Sequence, residues 1–299
     1  MAGAEAKGRD DGRPLFGAHA FIWAADWDPQ SAERVIAGAA AAGLDFVEIS
    51  LLRPLEMDVP GTRALLERHE MACTASLGLP REANLTAAPE AAEQFLRQAV
   101  DVTAALGSPV LTGCLYTNIG TLTGAPPTRR ELDLVVEVIA RVAGYASERG
   151  IALGLEPVNR YETHLLNLAT DGVALLDAIG APDVFLHLDT YHMNIEEKGF
   201  YDPIVAAGDR LGYIHLSESD RGTPGTGNVH WHDVFRGLAA IGYGGRLVME
   251  SFAAVNDDII GATAMWRNVV GDPEALVRDG LAFLRTQARE HGLAVAGSA

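Results

Sequence analysis

Four ionisable side chains end short apolar runs in the second half of this 299-residue chain. They are Glu156 in "IALGLEPV", Asp189 in "VFLHLDT", His215 in "LGYIHLSE" and Glu250 in "RLVMESF". Side chains alternate sides along an extended strand, so residues two apart share a face. Ile151, Leu153 and Leu155 then point one way; Ala152, Gly154 and Glu156 point the other. The same parity sets Leu186 and Leu188 against Phe185, His187 and Asp189, and Ile214 and Leu216 against Tyr213, His215 and Ser217. It also sets Leu247 and Met249 against Val248 and Glu250. Three carboxylates converging in a partly buried space repel one another unless a positive charge neutralises them. A divalent cation does so. Oxygen-rich ligation with one imidazole suits Mn²⁺, Mg²⁺ or Co²⁺ better than a thiolate-preferring metal.

Strands must position these groups, and the chain offers eight. Besides the four above, candidates are "FGAHAFIW" from Phe16, "FVEISL" from Phe46, "ACTASLGL" from Ala72 and "PVLTGCLY" from Pro109. Amphipathic helical segments lie between them, including those starting at Ser31, Glu90, Arg129 and His232, and another from Asp272 follows the last strand. Gly43, Gly107, Gly150, Gly180 and Gly242 mark helix ends just before the next strand. Eight such units without a composition break predict an α/β chain folded as one (β/α)8 TIM barrel over residues 15–293. A doubly wound sheet would bring a glycine fingerprint after the first strand, and "FIWAADWD" has no glycine. In a barrel the active site lies at the C-terminal ends of the strands, where the four ionisable residues stand. The irregular stretch "VNDDIIGATAMWRNVVG" is expected to form a loop with a short helix over that mouth. Residues 1–14 and 294–299 are expected to be flexible tails.

Composition narrows the function. A net charge of −17 opposes binding to nucleic-acid phosphates or anionic membrane surfaces. No run approaches the ~18 apolar residues of a membrane span, and the N-terminus lacks the apolar core of a signal peptide. Cytoplasmic residence is the expectation. The two cysteines, Cys73 and Cys114, sit inside apolar strand-like runs and are expected to be buried, reduced thiols. No glycine-rich phosphate loop is present, so no nucleotide cofactor is expected.

A single acid at a strand end is more often a helix cap or a surface ion pair, and only the repetition on four successive strands favours a metal. His187 shares their parity but lies one layer deeper, where a hydrogen-bonded barrel histidine is the better reading. His19 and Glu48 could face inward from the first two strands, as structural or substrate-contacting groups. Trp23 and Phe252 end strands near the mouth and are expected in the pocket wall. His230 and His232, flanking Trp231, are expected at the surface.

At "EPVNRYETHLLN", "HLDTYHMNIEE", "YIHLSESDRGTPGTG" and "VMESF", with "ASLGL" as a weaker fifth, the sequence resembles the ketose 3-epimerases of D-tagatose, D-psicose (D-allulose) and L-ribulose. These are members of the xylose isomerase-like barrel superfamily. The resemblance implies that Glu156, Asp189, His215 and Glu250 hold one divalent metal, usually manganese, and that Glu156 and Glu250 also act as the acid–base pair. It further implies that Glu162, His192 and Arg221 hold the O1 to O3 end of a free ketose. The reaction implied is C3 epimerisation through a cis-enediolate, in a homodimer or homotetramer to which the loop at Trp266 could contribute. The chain departs from its relatives after the fourth strand, where "GCLYTNIG" offers Tyr116 in place of a tryptophan; Ser76 is a further candidate for the distal end of the sugar. Aldose–ketose or hydroxypyruvate isomerisation on the same barrel is the nearest alternative. An abasic-site endonuclease needs a multi-zinc cluster with more histidine ligands, against which the acidic charge and the single evident ligand set weigh, and a non-catalytic sugar-binding protein would bind without hydrogen exchange.

Overall fold

The structure, a computed structural model, describes residues 12–253 and 255–294. Most of the two expected tails, 1–11 and 295–299, lies outside the described residues. Eight parallel strands close into a barrel in chain order: β1 Leu15–His19, β2 Phe46–Ser50, β3 Ala72–Gly78, β4 Val110–Cys114, β5 Ala152–Leu155, β6 Val184–Asp189, β7 Leu211–His215 and β8 Arg246–Met249. The closing pair is β1 with β8, Gly17 opposite Val248. One long helix covers most strands: α1 Pro29–Ala41, α2 Val59–Arg68, α3 Pro89–Leu106, α4 Arg129–Ser147 and α5 Ala169–Ile179. Two short helices, α6 Thr190–Glu196 and α7 Tyr201–Ala207, join β6 to β7. They are followed by α8 Trp231–Ala240, α9 Asp257–Thr263 and α10 Pro273–Glu290. α9 is the short helix expected in the loop after β8.

The parity expected from sequence is the parity observed. Phe46, Val110, Ala152, Phe185, Tyr213 and Val248 pack together inside the barrel, as a cluster separate from the main core. Leu153, Leu155, Leu186, Leu188, Ile214, Leu216, Leu247 and Met249 belong to the outer layer between sheet and helices. The interior is tight enough to dictate residue size. A Cβ on Gly154 would stand 2.1 Å from Thr112 Oγ1 and 2.6 Å from the Phe185 ring, so glycine lets that ring cross the barrel. A register shift between Leu186 and His187 lets Asp189 and His215 end as direct neighbours on β6 and β7.

The first strand is shorter than its apolar run suggests. After His19 the chain turns into a 3-10 segment, Ala20–Ile22, because the His19 Nδ1 accepts the Phe21 amide at 3.1 Å. That turn breaks the two-residue alternation and sends Trp23 outward. Its ring is buried against α1, where a Cβ on Gly38 would meet the indole nitrogen at 2.8 Å. Trp23 is therefore core rather than pocket wall, and Phe21 takes the wall position instead.

Candidate active site

The four ionisable residues gather at the C-terminal mouth of the barrel. Asp189 and His215 are the last residues of β6 and β7; Glu156 and Glu250 follow the last residues of β5 and β8 directly. The His215 Nδ1 lies 3.3 Å from Glu250 Oε2, 3.8 Å from Glu156 Oε1 and 4.0 Å from Asp189 Oδ2. Asp189, His215 and Glu250 form one group whose candidate ligand atoms lie within 4.8 Å of one another. Glu156 joins through two overlapping groups, one with Asp189 and His192 and one with His187 and His215.

Burial and charge act on each of these groups differently. Burial pushes the Glu156 carboxyl well above the usual range, and Asp189 and Glu250 add to this against the pull of His215. Glu250 is buried too, yet Arg221 and His215 outweigh that burial and hold it well below its ordinary value. For His215, burial alone would lower the pKa, but Glu48 and Glu250 raise it well above. Its Nδ1 is buried without a hydrogen-bond partner. That ring nitrogen and the three carboxylates around it make an oxygen-rich donor set of the kind that suits a hard dication. The residues fit such an ion.

Sugar-binding candidates surround this centre. Asn159 directs its backbone N–H (3.1 Å) and side-chain amide (2.9 Å) to His192 Nδ1, and the same amide donates to Glu162 Oε1 at 2.8 Å. The other ring nitrogen, Nε2, lies 3.4 Å from Arg221 Nη2, 3.7 Å from Asp189 Oδ2 and 3.9 Å from Glu156 Oε1. Sequence reasoning passed over Asn159, although it stands three residues before Glu162 in a run otherwise assigned. Its burial beside two polar groups is what marks it.

Arg221 closes the other side. Its Nη1 donates to Asp189 Oδ2 at 2.7 Å, to Ser217 Oγ at 2.8 Å and to Glu250 Oε2. The guanidinium lies over the Tyr191 ring, 4.0 Å from its centroid, and beside Phe252 at 5.3 Å. To reach there Arg221 takes a left-handed backbone, φ +64°, a cost met by a loop that leaves it little choice. Glu218 organises that loop: its carboxylate accepts the amides of Ser219, Gly225 and Val229 and the indole of Trp231, at 2.8 to 3.0 Å.

The charged centre opens into a cavity of about 120 Å³ whose other walls include His19, Ser76, Cys114, Phe252 and the α9 residue Ile259. His19, Ser76 and Phe252 thus stand where expected. Tyr116 does not. It is fully buried, and its hydroxyl donates to the backbone oxygens of Glu156 (2.8 Å) and Leu166 (3.3 Å), so it braces the end of β5 from behind. His187 is the hydrogen-bonded barrel histidine anticipated: Thr112 Oγ1 is 2.9 Å from its Nδ1, and burial together with His215 keeps it neutral. His230 and His232 are exposed. Cys73 and Cys114 are free, buried thiols, the first pushed up to about 12 by burial.

The profile of the xylose isomerase-like TIM barrel family matches residues 36–287. An L-ribulose 3-epimerase from Methylomonas sp. is 42% identical over 276 residues, 90% of this chain and 96% of that protein. A ketose 3-epimerase from Arthrobacter globiformis is 37% identical, over 90% of this chain and 95% of its own. The crystal structure of a D-allulose 3-epimerase from Methylomonas sp., in complex with D-allulose, superimposes with a TM-score of 0.89 at 41% identity, covering 92% of this chain and 97% of that one. The chain belongs to the ketose 3-epimerase family. It is accordingly an isomerase of sugars, built on the barrel that its own strand pattern predicts. No described helix is long and apolar enough to cross a membrane.

Proposed function

We propose that this family member inverts C3 of a free ketose such as ribulose, allulose or fructose, using Glu156 and Glu250 as the two proton-transfer groups. The observation that carries this is the pair of glutamates, Glu156 buried and Glu250 largely so, at the ends of β5 and β8, flanking one imidazole nitrogen at 3.8 and 3.3 Å. Glu156, Asp189, His215 and Glu250 would hold a single divalent ion, manganese by family expectation, with magnesium or cobalt as alternatives. Bound there, the ion supplies Lewis-acid polarisation of the ketose carbonyl and charge stabilisation for the enediolate. One glutamate takes the C3 proton from one face of the sugar and the other returns a proton to the opposite face. The roles exchange with reaction direction, as reversibility requires. Glu162, His192 and Arg221 orient the O1 to O3 end: the first accepts from a hydroxyl, and the other two donate.

A free sugar is favoured over a phosphorylated one. The charge of Arg221 is already matched by two carboxylates, Asp189 and Glu250, which disfavours a phosphate beside it. Trp266, exposed by 78% in the loop after α9, is a large apolar group that a homodimer or homotetramer would cover. Incubating the metal-loaded protein with L-ribulose, D-allulose and D-fructose in D₂O tests the reading. Deuterium at C3 with inverted configuration is expected. Label confined to C1 would make the protein an aldose–ketose isomerase, and binding without any label would make it a sugar-binding protein; either result overturns the proposal.

A further inference from the structure

Directly behind the centre a third glutamate lies fully buried. Glu48 comes from the middle of β2, pairs in register with His19 on β1 and Thr74 on β3, and shares their inward face. Its Oε2 lies 2.8 Å from His215 Nε2 and accepts the Tyr213 hydroxyl at 2.6 Å. The Tyr213 oxygen in turn is 2.8 Å from Thr74 Oγ1. Tyr213 and His215 are two residues apart on β7, so both side chains cross the barrel from one strand face to the same carboxylate oxygen. Glu48 therefore links β2, β3 and β7 through a buried chain of hydrogen bonds.

We propose that Glu48 is a positioning residue for the metal centre: it keeps the His215 proton on Nε2 and fixes the ring so that Nδ1 faces Glu156, Asp189 and Glu250. The inference rests on the reading of those four residues as metal ligands. An imidazole has two chemically distinct nitrogens, and the hydrogen bond made by one decides what the other can bind. Nε2 is the nitrogen that meets Glu48. The opposite one, Nδ1, is buried without a hydrogen-bond partner at the mouth. Were the ring free to turn about χ2, a C–H edge would replace Nδ1 and a ligand would be lost. Glu48 is itself no candidate ligand, since its Oε2 is committed to two donors and it belongs to none of the groups whose ligand atoms converge. Tyr213 serves the same end one step removed, by holding the carboxylate against rotation.

Three variants separate this role from a structural one: Glu48→Ala, Glu48→Gln, which keeps an acceptor oxygen, and Tyr213→Phe. Mn²⁺ affinity is measured against a chelating indicator without sugar, alongside the melting temperature in EDTA. In ¹⁵N-histidine-labelled protein with Mg²⁺, the slowly exchanging downfield imidazole N–H of His215 is followed. Glu48→Ala is expected to weaken Mn²⁺ binding on the order of 10- to 100-fold and to lose that N–H signal. Glu48→Gln should keep the signal, moved upfield, with a smaller loss of affinity, and Tyr213→Phe should fall between wild type and Glu48→Ala. Should Glu48→Ala not fold, the ranking of the other two against wild type decides. Unchanged Mn²⁺ affinity in the variants, or lower melting temperatures in EDTA with affinity intact, overturns the positioning role. A wild-type protein that binds no divalent ion overturns the metal reading itself, and is told apart by being measured first.

Discussion

The two halves of the barrel mouth are unlike. From β5 to β8 and their loops come Glu156, Glu162, Asp189, His192, His215, Arg221 and Glu250, all buried or nearly so and linked in one charged network. From β1 to β4 the cavity receives His19, Ser50, Ser76, Gly78, Gly113 and Cys114, which are neutral or small; Glu48 is the one acid, and it is committed to His215. His19 is kept neutral as well, since burial lowers its pKa despite Glu48. One half is charged, and on the proposed function moves protons; the other is neutral and shapes the space beside it. A barrel can divide labour in this way because every strand delivers its last inward residue to the same mouth, whatever the neighbouring strand does.

The largest expected effect tests the charged half. Glu250→Gln keeps size and hydrogen-bonding capacity but removes the carboxylate that faces His215 and Arg221. Turnover should fall on the order of 10³-fold, with Mn²⁺ affinity reduced as well, measured by C3 exchange in D₂O and by indicator competition. Retention of more than a tenth of wild-type exchange would mean that the proton-transfer group lies elsewhere.

A smaller, different effect is expected from the other half. Cys114→Ala removes a sulfur from the cavity wall on β4 without touching a charged group. It should change the ratio of kcat/KM between a ketopentose and a ketohexose by about 10-fold and leave Mn²⁺ affinity as it is. Equal losses for both sugars together with weakened metal binding would erase the distinction between the halves.

The charged half is the half that was legible in sequence. Strands β5 to β8 keep the two-residue period over the residues that lead to the mouth, the register shift beside Leu186 lying deeper, so counting from Leu153 to Glu156, or from Phe185 to Asp189, places each side chain correctly inside or outside. Trp23 fails under the same count because the His19 side chain captures the Phe21 amide and ends the alternation early, a local bond that no periodicity registers. Tyr116 fails for a related reason: it lies two residues past the end of β4, where the chain has already turned. Asn159 acts from a loop on the side chains of His192 and Glu162, and Glu218 gathers loop amides; a loop has no period to count. Glu48 was visible as inward-facing, but its partner lies 167 residues away in sequence, and only closure of the barrel brings the two together.

Remote from both halves, the start of α4 tests whether the comparison is confined to the mouth. Thr128 caps this helix: its hydroxyl accepts the Glu131 amide at 3.2 Å while the Glu131 carboxylate accepts the Thr128 amide at 2.7 Å. The Thr128 side-chain and backbone bonds hold the Glu131 carboxyl down to about 2, against 4.5 for the free group. A depressed folded-state pKa means that the contribution is complete above pH 4.5 and is lost as pH falls toward 2. Thr128→Ala should therefore destabilise the protein by about 1 kcal/mol at neutral pH, less as the solution is acidified, with kcat, KM and Mn²⁺ affinity unchanged. Denaturant melts at pH 7 and pH 4 measure the first part and steady-state kinetics the second. A change in kcat would show that the helix ring, and not the strand ends alone, holds the catalytic groups in place.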